Sequence, residues 1–229
     1  ADFSAASAEQ WRGLVEKILK GADFDKRLVA KTADGLAIKP LYTRADAPPA
    51  AAGCPTARGL GWEIRQLHAE HDPAKANAAI LEDLAGGVNA ITLQIAAPGW
   101  FGLDYTGPSL ERALKGVLLD VCPIALFAGE YTPDAAGSLM ALWRKSGVSD
   151  AQAKGAFNYG PLATLAMTGA LYQPIPKALA IAADLIAKTA GYPGVTALVA
   201  DGNLWHCAGA SEAQELGLIL AEVVAYLRA

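Results

Sequence analysis

His206 and Cys207 stand side by side in the segment Asp201 to Ala229, DGNLWHCAGASEAQELGLILAEVVAYLRA. An imidazole titrates near neutral pH and serves as a general acid or base, and a thiolate is a nucleophile. The segment reads as a strand end, a glycine-containing loop and a helix capped by Ser211 with Gln214 three residues later. Loops at strand ends are where α/β enzymes usually carry their chemistry. A histidine hydrogen-bonded within the loop and an inert small cysteine are the alternative readings of the same pair. His68 and His71, at the end of an earlier strand, carry the same two readings. Glu63, Glu130 and Asp201 also lie near strand ends, but their spacing defines no acid/base pair, and helix caps or solvated carboxylates would look alike. No grouping of His, Cys, Asp and Glu has metal-ligand spacing. No GxGxxG or Walker sequence follows a strand, which removes the usual nucleotide sites.

Two kinds of chain position these residues. Over residues 1–60, Ser7-Ala8-Glu9-Gln10 is a capping box, and Trp11, Leu14, Val15, Ile18 and Leu19 follow at helical spacing until Gly21. Residues 28–32 and 36–41 flank Asp34-Gly35, a hairpin signal. Residues 45–61 are rich in Ala, Pro and Gly and read as a linker.

Over residues 61–229, strands and helices alternate. Strands are expected at 62–69, 90–96, 123–128, 156–159 and 196–201. Helices are expected from Asp72-Pro73, over 109–118, from Thr132-Pro133 to Trp143, over 176–189, and after Ser211 with Leu216, Leu220, Val223 and Leu227 on one face. Five successive βα units favour a parallel sheet, as an open doubly wound sheet or as part of a barrel. In the second strand Ile91, Leu93 and Ile95 share one face, while Thr92 and Gln94 share the other. Gln66 and His68 likewise share a face of the first strand. A ligand-holding barrel lumen would explain both polar faces; an edge position in an open sheet would too.

Hydrophobic residues make up 53% of the 229, enough for a full core, and the net charge is −4 without a basic cluster. Nucleic acid and anionic membranes are therefore poor candidates for partners. The N-terminal residues lack a secretion-signal pattern, and no apolar run is long enough to span a bilayer. Cys54, Cys122 and Cys207 are isolated, which fits reduced thiols and a cytoplasmic location.

Three ordered motifs then point to a family. Lys39-Pro40-Leu41-Tyr42-Thr43, Glu63-Ile64-Arg65-Gln66 and the closing AGASEAQEL…AYLRA together resemble methylmalonyl-CoA mutase, and more narrowly the small, non-catalytic subunit of the bacterial heterodimeric enzyme. The resemblance implies a TIM-barrel substrate domain threaded by the CoA arm, with about five of eight βα units present here, and a separate cobalamin-binding domain. It also places Asn203 and Leu204 where catalytic chains carry Tyr and His, and Leu67 where they carry Tyr. Asn158 stands in place of a strand-four Gln, and Thr168 in place of the Arg that grips the substrate carboxylate. A threonine cannot supply the paired charge-assisted bonds of a guanidinium. Were the backbone extended there, Trp205-His206 would keep the facing of the lost Tyr-His pair, displaced by two residues.

The implied function is isomerase-related: a structural partner of a catalytic subunit that interconverts methylmalonyl-CoA and succinyl-CoA, with an acyl-CoA-binding module or an isomerase of altered specificity as alternatives. No residue is expected to be catalytic. His68, Gln94, Asn158 and His206 are the candidate substrate contacts. The cobalamin signature Asp-x-His-x-x-Gly is absent, so adenosylcobalamin is expected in the parent enzyme and not on this chain. An arc of five units leaves edges to cover. The expected partner is the catalytic subunit, or a second copy completing the barrel in a symmetric dimer.

Overall fold

The computed structural model describes residues 6–47, 62–97 and 100–229. Its first helix, α1 (Ala8–Leu19), begins on the Ser7/Gln10 capping box and closes with Lys20 in the left-handed region. A short helix unforeseen in the sequence, α2 (Phe24–Leu28), follows, capped by the Asp23 side chain. The hairpin is shorter than expected, β1 (Ala30–Lys31) with β2 (Ala37–Ile38). The expected linker from 48 onward lies outside the described residues.

From residue 65 the βα alternation runs β3 (Arg65–His68), α3 (Pro73–Ala85), β4 (Ala90–Gln94), α4 (Gly107–Ala113), β5 (Ile124–Phe127), α5 (Thr132–Lys145) and β6 (Lys154–Tyr159). It continues through α6 (Pro161–Thr168), α7 (Ile175–Thr189), β7 (Gly194–Leu198), α8 (Asn203–Cys207) and α9 (Glu212–Leu227). The five strands are all parallel and lie in chain order, β3-β4-β5-β6-β7. A doubly wound sheet reverses its strand order at a switch point; here the order never reverses. Crossovers of one hand that always step the same way put every helix on one face, as in a TIM barrel.

The core lies between that face and the helices. Ile91, Leu93, Ile124, Leu126 and Phe157 from the strands meet Ile80, Leu110, Leu139, Trp143 and Leu185 from the helices. Thr92 and Gln94 point to the other face, as the alternation predicts. The facing of β3 needs correction. His68 pairs in register with Leu93, and Leu67 with Thr92. Gln66 and His68 thus share the helix side, while Leu67 faces the lumen half-exposed. On this edge strand only α3 lies over the helix side, so polar residues are tolerated there.

Among the described residues, two apolar helix stripes are exposed. On α1, Leu14 and Ile18 are 61% and 76% exposed, although Trp11 packs edge-on to Phe24 and Arg12 lies 4.3 Å over the Phe24 ring. On α9, Leu216, Leu220, Val223 and Leu227 form the expected stripe, but it is exposed, and Glu222 and Tyr226 are the residues buried inward. The hairpin is tied to α9 by one residue. Asp34 accepts hydrogen bonds from the Ser211 hydroxyl at 2.5 Å and the Ala213 N–H at 3.2 Å. The Ser211 hydroxyl first and the helix N-terminal amide second hold the Asp34 carboxyl below its usual range.

Candidate functional site

The carboxyl ends of β4 to β7 form a mouth, the place where parallel βα folds carry their ligands. After β4 the chain doubles back through isolated bridges Ile95–Leu103 and Ala97–Trp100. This excursion lays the Trp100 indole on Phe127, the last residue of β5, with centroids 5.0 Å apart and planes 13° from parallel. Gly129 makes the approach possible: its φ is +53°, and a Cβ there would sit 3.0 Å from the indole. An aromatic stack thus stands over the lumen face.

Beside it is a cavity of about 290 Å³ lined by Trp100, Glu130, Tyr131, Thr164, Thr168 and Tyr172. A smaller one of about 190 Å³ reaches down to Phe127, Asn158, Val199 and Asp201. Among the described residues no Lys or Arg lines either; the charged groups are Glu130 and Asp201.

Each polar candidate here is occupied by the chain itself. Gln94 Nε2 donates to the Phe101 carbonyl at 2.5 Å, and Asn158 Nδ2 donates to the Leu126 carbonyl at 3.0 Å. The Thr168 hydroxyl lies 2.8 Å from the Thr164 carbonyl and 2.7 Å from that of Ala170, and shares its one proton between them. These bonds close the end of α6 and leave the Thr168 hydroxyl no free proton.

The histidines lie elsewhere. Residues 203–207 are helical, not extended, because the Trp205 and His206 amides both donate to the Gly202 carbonyl and Asp201 caps Asn203. The premise for turning His206 into the mouth therefore fails. Its ring, 72% exposed, pairs with Glu215 at 3.2 Å. Cys207 is exposed beside Asn203, and Cys122 is buried. Trp205 turns inward, and its Nε1 donates to Glu222 at 3.3 Å. The second Glu222 oxygen is buried without a partner, and burial raises that carboxyl's pKa.

His68 is buried against α3, its Nε2 3.5 Å from Asp83 and without a hydrogen bond. Burial lowers its pKa, and the Asp83 charge opposes this only in part. Between the lowered native value and the ordinary 6.5 the unfolded chain binds more protons. Stability contributed by neutral His68 is complete above about pH 6.5 and falls as pH drops toward the native value. Urea unfolding at pH 7 and pH 5.5 should show a smaller loss of stability in His68→Gln than in the unaltered chain. An identical loss in both would remove His68 as the cause.

Sequence reasoning passed over the residues that shape the mouth, Trp100, Tyr131 and Tyr172. Pro98-Gly99 before Trp100-Phe101-Gly102 was the available signal, a turn presenting two aromatics. The site as a whole presents aromatic walls and two carboxylates, with no nucleophile–base pair among the described lining residues.

Comparison with known proteins decides the family: the methylmalonyl-CoA mutase profile matches residues 31–229. This chain belongs to the methylmalonyl-CoA mutase family. It is 41% identical over its whole length to the methylmalonyl-CoA mutase small subunit of Streptomyces virginiae, covering 39% of that protein. Identity is 32% to the small subunit of Propionibacterium freudenreichii subsp. shermanii, again over the whole chain and 38% of that protein. With the large subunit of the same Streptomyces it falls to 26%, over 98% of this chain and 35% of that protein. The chain therefore spans well under half the length of these relatives, and it is more similar to their small subunits than to the large one.

Within the mutase frame, the Thr168 position opens on the mouth cavity but its hydroxyl is spent on backbone, and Leu204 lies in α8. The family implies adenosylcobalamin, which supplies radical chemistry when bound. The residues here do not fit it: His68 faces Asp83, His206 faces Glu215, His71 is engaged with the Gly102 carbonyl, and none lines the mouth cavities.

Proposed function

We propose that this chain is the barrel portion of a non-catalytic mutase small subunit, a structural partner of the catalytic subunit. One observation carries the reading: Gln94, Asn158 and Thr168 at the mouth donate to the chain's own carbonyls, and among the described residues no cation lines the cavity to hold a substrate carboxylate. Differential binding of a charged acyl-CoA needs donors left free for it. The stack of Trp100 on Phe127 also occupies the space above the lumen face. An acyl-CoA-binding module fits less well, because Glu130 and Asp201 make the mouth acidic toward an anionic ligand.

The interface role rests on the uncovered stripes of α1 and α9. Exposed apolar faces of this kind mark association surfaces. The hairpin that follows α1 and α2 in the chain is linked to the start of α9 through Asp34. A cytoplasmic setting accords with the free thiols of Cys122 and Cys207; Cys54 lies outside the described residues. Among the described residues no helix is long and apolar enough to cross a membrane.

The test is reconstitution. The full-length protein, given adenosylcobalamin and methylmalonyl-CoA alone, should form no succinyl-CoA above a blank. Assembled with a catalytic subunit, Thr168→Val should leave kcat and KM unchanged within about twofold, under 0.5 kcal/mol of transition-state effect. Turnover by the isolated protein, or a tenfold loss in Thr168→Val, would refute the proposal.

A further inference from the structure

The cavity at the mouth combines aromatic rings with a carboxylate. Tyr131 and Tyr172 stand 6.1 Å apart at 34°, and Tyr105 backs Tyr131 at 5.4 Å. Trp100 lines the same cavity, stacked on Phe127 and lying close to Gly129. Glu130 lines the same cavity, and one of its carboxylate oxygens accepts the Tyr172 backbone N–H at 2.7 Å. That bond fixes the side chain's aim without neutralising it.

We propose that this cavity binds an organic cation, an alkylammonium or guanidinium group. Aromatic faces are electronegative and attract such cations, most strongly where indole is one of the walls. The carboxylate adds a formal charge of the right sign, and among the described residues no Lys or Arg lines the cavity to compete for it. In the adjoining groove Lys188 is accompanied by Asp134 and Asp184, so the surroundings stay acidic. At about 290 Å³ the space is at the lower end of small-molecule sites. A ligand of this chemistry has two sources, a free amine or a Lys or Arg side chain presented by a partner protein. The proposal stands apart from the non-catalytic reading: it holds whether or not the protein turns over a thioester.

Calorimetric titration of the full-length protein with choline chloride and with its neutral isostere 3,3-dimethylbutan-1-ol separates charge recognition from burial of apolar surface. Choline should bind at least about fivefold more tightly than the alcohol, and Glu130→Gln should erase most of that difference. The Gln side chain still accepts from the Tyr172 amide, so the fold is expected to survive. Trp100→Leu should also weaken choline about fivefold or more, and it supplies a second variant should the first not fold. Titration with N-acetyl-lysine methylamide and N-acetyl-arginine methylamide distinguishes the sources. Tighter binding than choline supports a presented side chain, and weaker binding supports a free quaternary amine. Equal affinity for choline and the alcohol, no change in both variants, or no saturable binding of choline up to about 100 mM overturns the proposal.

Discussion

Gly155→Ala is expected to cost the protein more than about 3 kcal/mol or to prevent its folding. Gly155, the second residue of β6, pairs with Ile124 of β5 and has φ +147°, a conformation that side-chain-bearing residues rarely adopt. A Cβ at this position would lie 2.6 Å from the Ile124 carbonyl carbon and closer still to its oxygen. The two penalties have no common relief. Restoring an ordinary φ rotates the strand out of register, and moving Ile124 breaks the parallel pairing of β5 with β6. Since β6 carries Asn158 and leads into α6, the damage would reach the mouth as well. Gly137, on the exposed side of α5 with open space around it, is the control. There Ala should stabilise by about 0.5–1 kcal/mol through helix propensity alone. Urea unfolding of both variants is the measurement, and a Gly155→Ala midpoint matching that of the unaltered chain would show that β5 and β6 separate more easily than their geometry indicates.

Much of the scaffold was legible because it follows from local rules. The Ser7/Gln10 and Ser211/Gln214 boxes, the Pro73 helix start and the Asp34-Gly35 turn each involve residues within a few positions of one another. The Thr92 and Gln94 face was legible from alternation alone. What escaped depends on distant partners. Alternation groups Gln66 with His68 but cannot say which side the group faces; the pairing of His68 with Leu93 decides that. The helix at 203–207 escaped because a Gly202 carbonyl accepting two amides is a property of three-dimensional turning, and Trp-His-Cys carries no strong helix signal. The mouth was the least legible part, since Trp100, Glu130 and Tyr172 converge only once three successive strand ends are side by side. Family resemblance had marked Thr168 and Asn158 as sites of lost function. It did not foresee that both would be tied into backbone bonds.

Trp143→Ala should be the most damaging truncation of a side chain, by about 3–5 kcal/mol. The indole is fully buried, stacked on Phe157 at 6.0 Å and tilted against Tyr192 at 6.1 Å. It joins α5, β6 and the turn before β7 in one contact, and those elements have no other aromatic link among the described residues. Its Nε1 is buried without a hydrogen-bond partner, so part of what the ring contributes is already offset by a stranded donor. That detail sets the contrast with Trp143→Phe. Phenylalanine gives up ring volume but also the unsatisfied N–H, and should cost less than half as much as alanine. Guanidinium unfolding of the two variants measures the ratio. Equal costs would mean that the N–H is satisfied by a buried water. The consequence for function follows from chain order. Phe157 directly precedes Asn158, whose amide bond to the Leu126 carbonyl closes the floor of the mouth. A cavity where Trp143 stood frees β6 to shift and loosens that floor. Trp143→Ala should therefore weaken binding at the mouth even under conditions where the chain remains folded, an effect with no counterpart in Gly137→Ala.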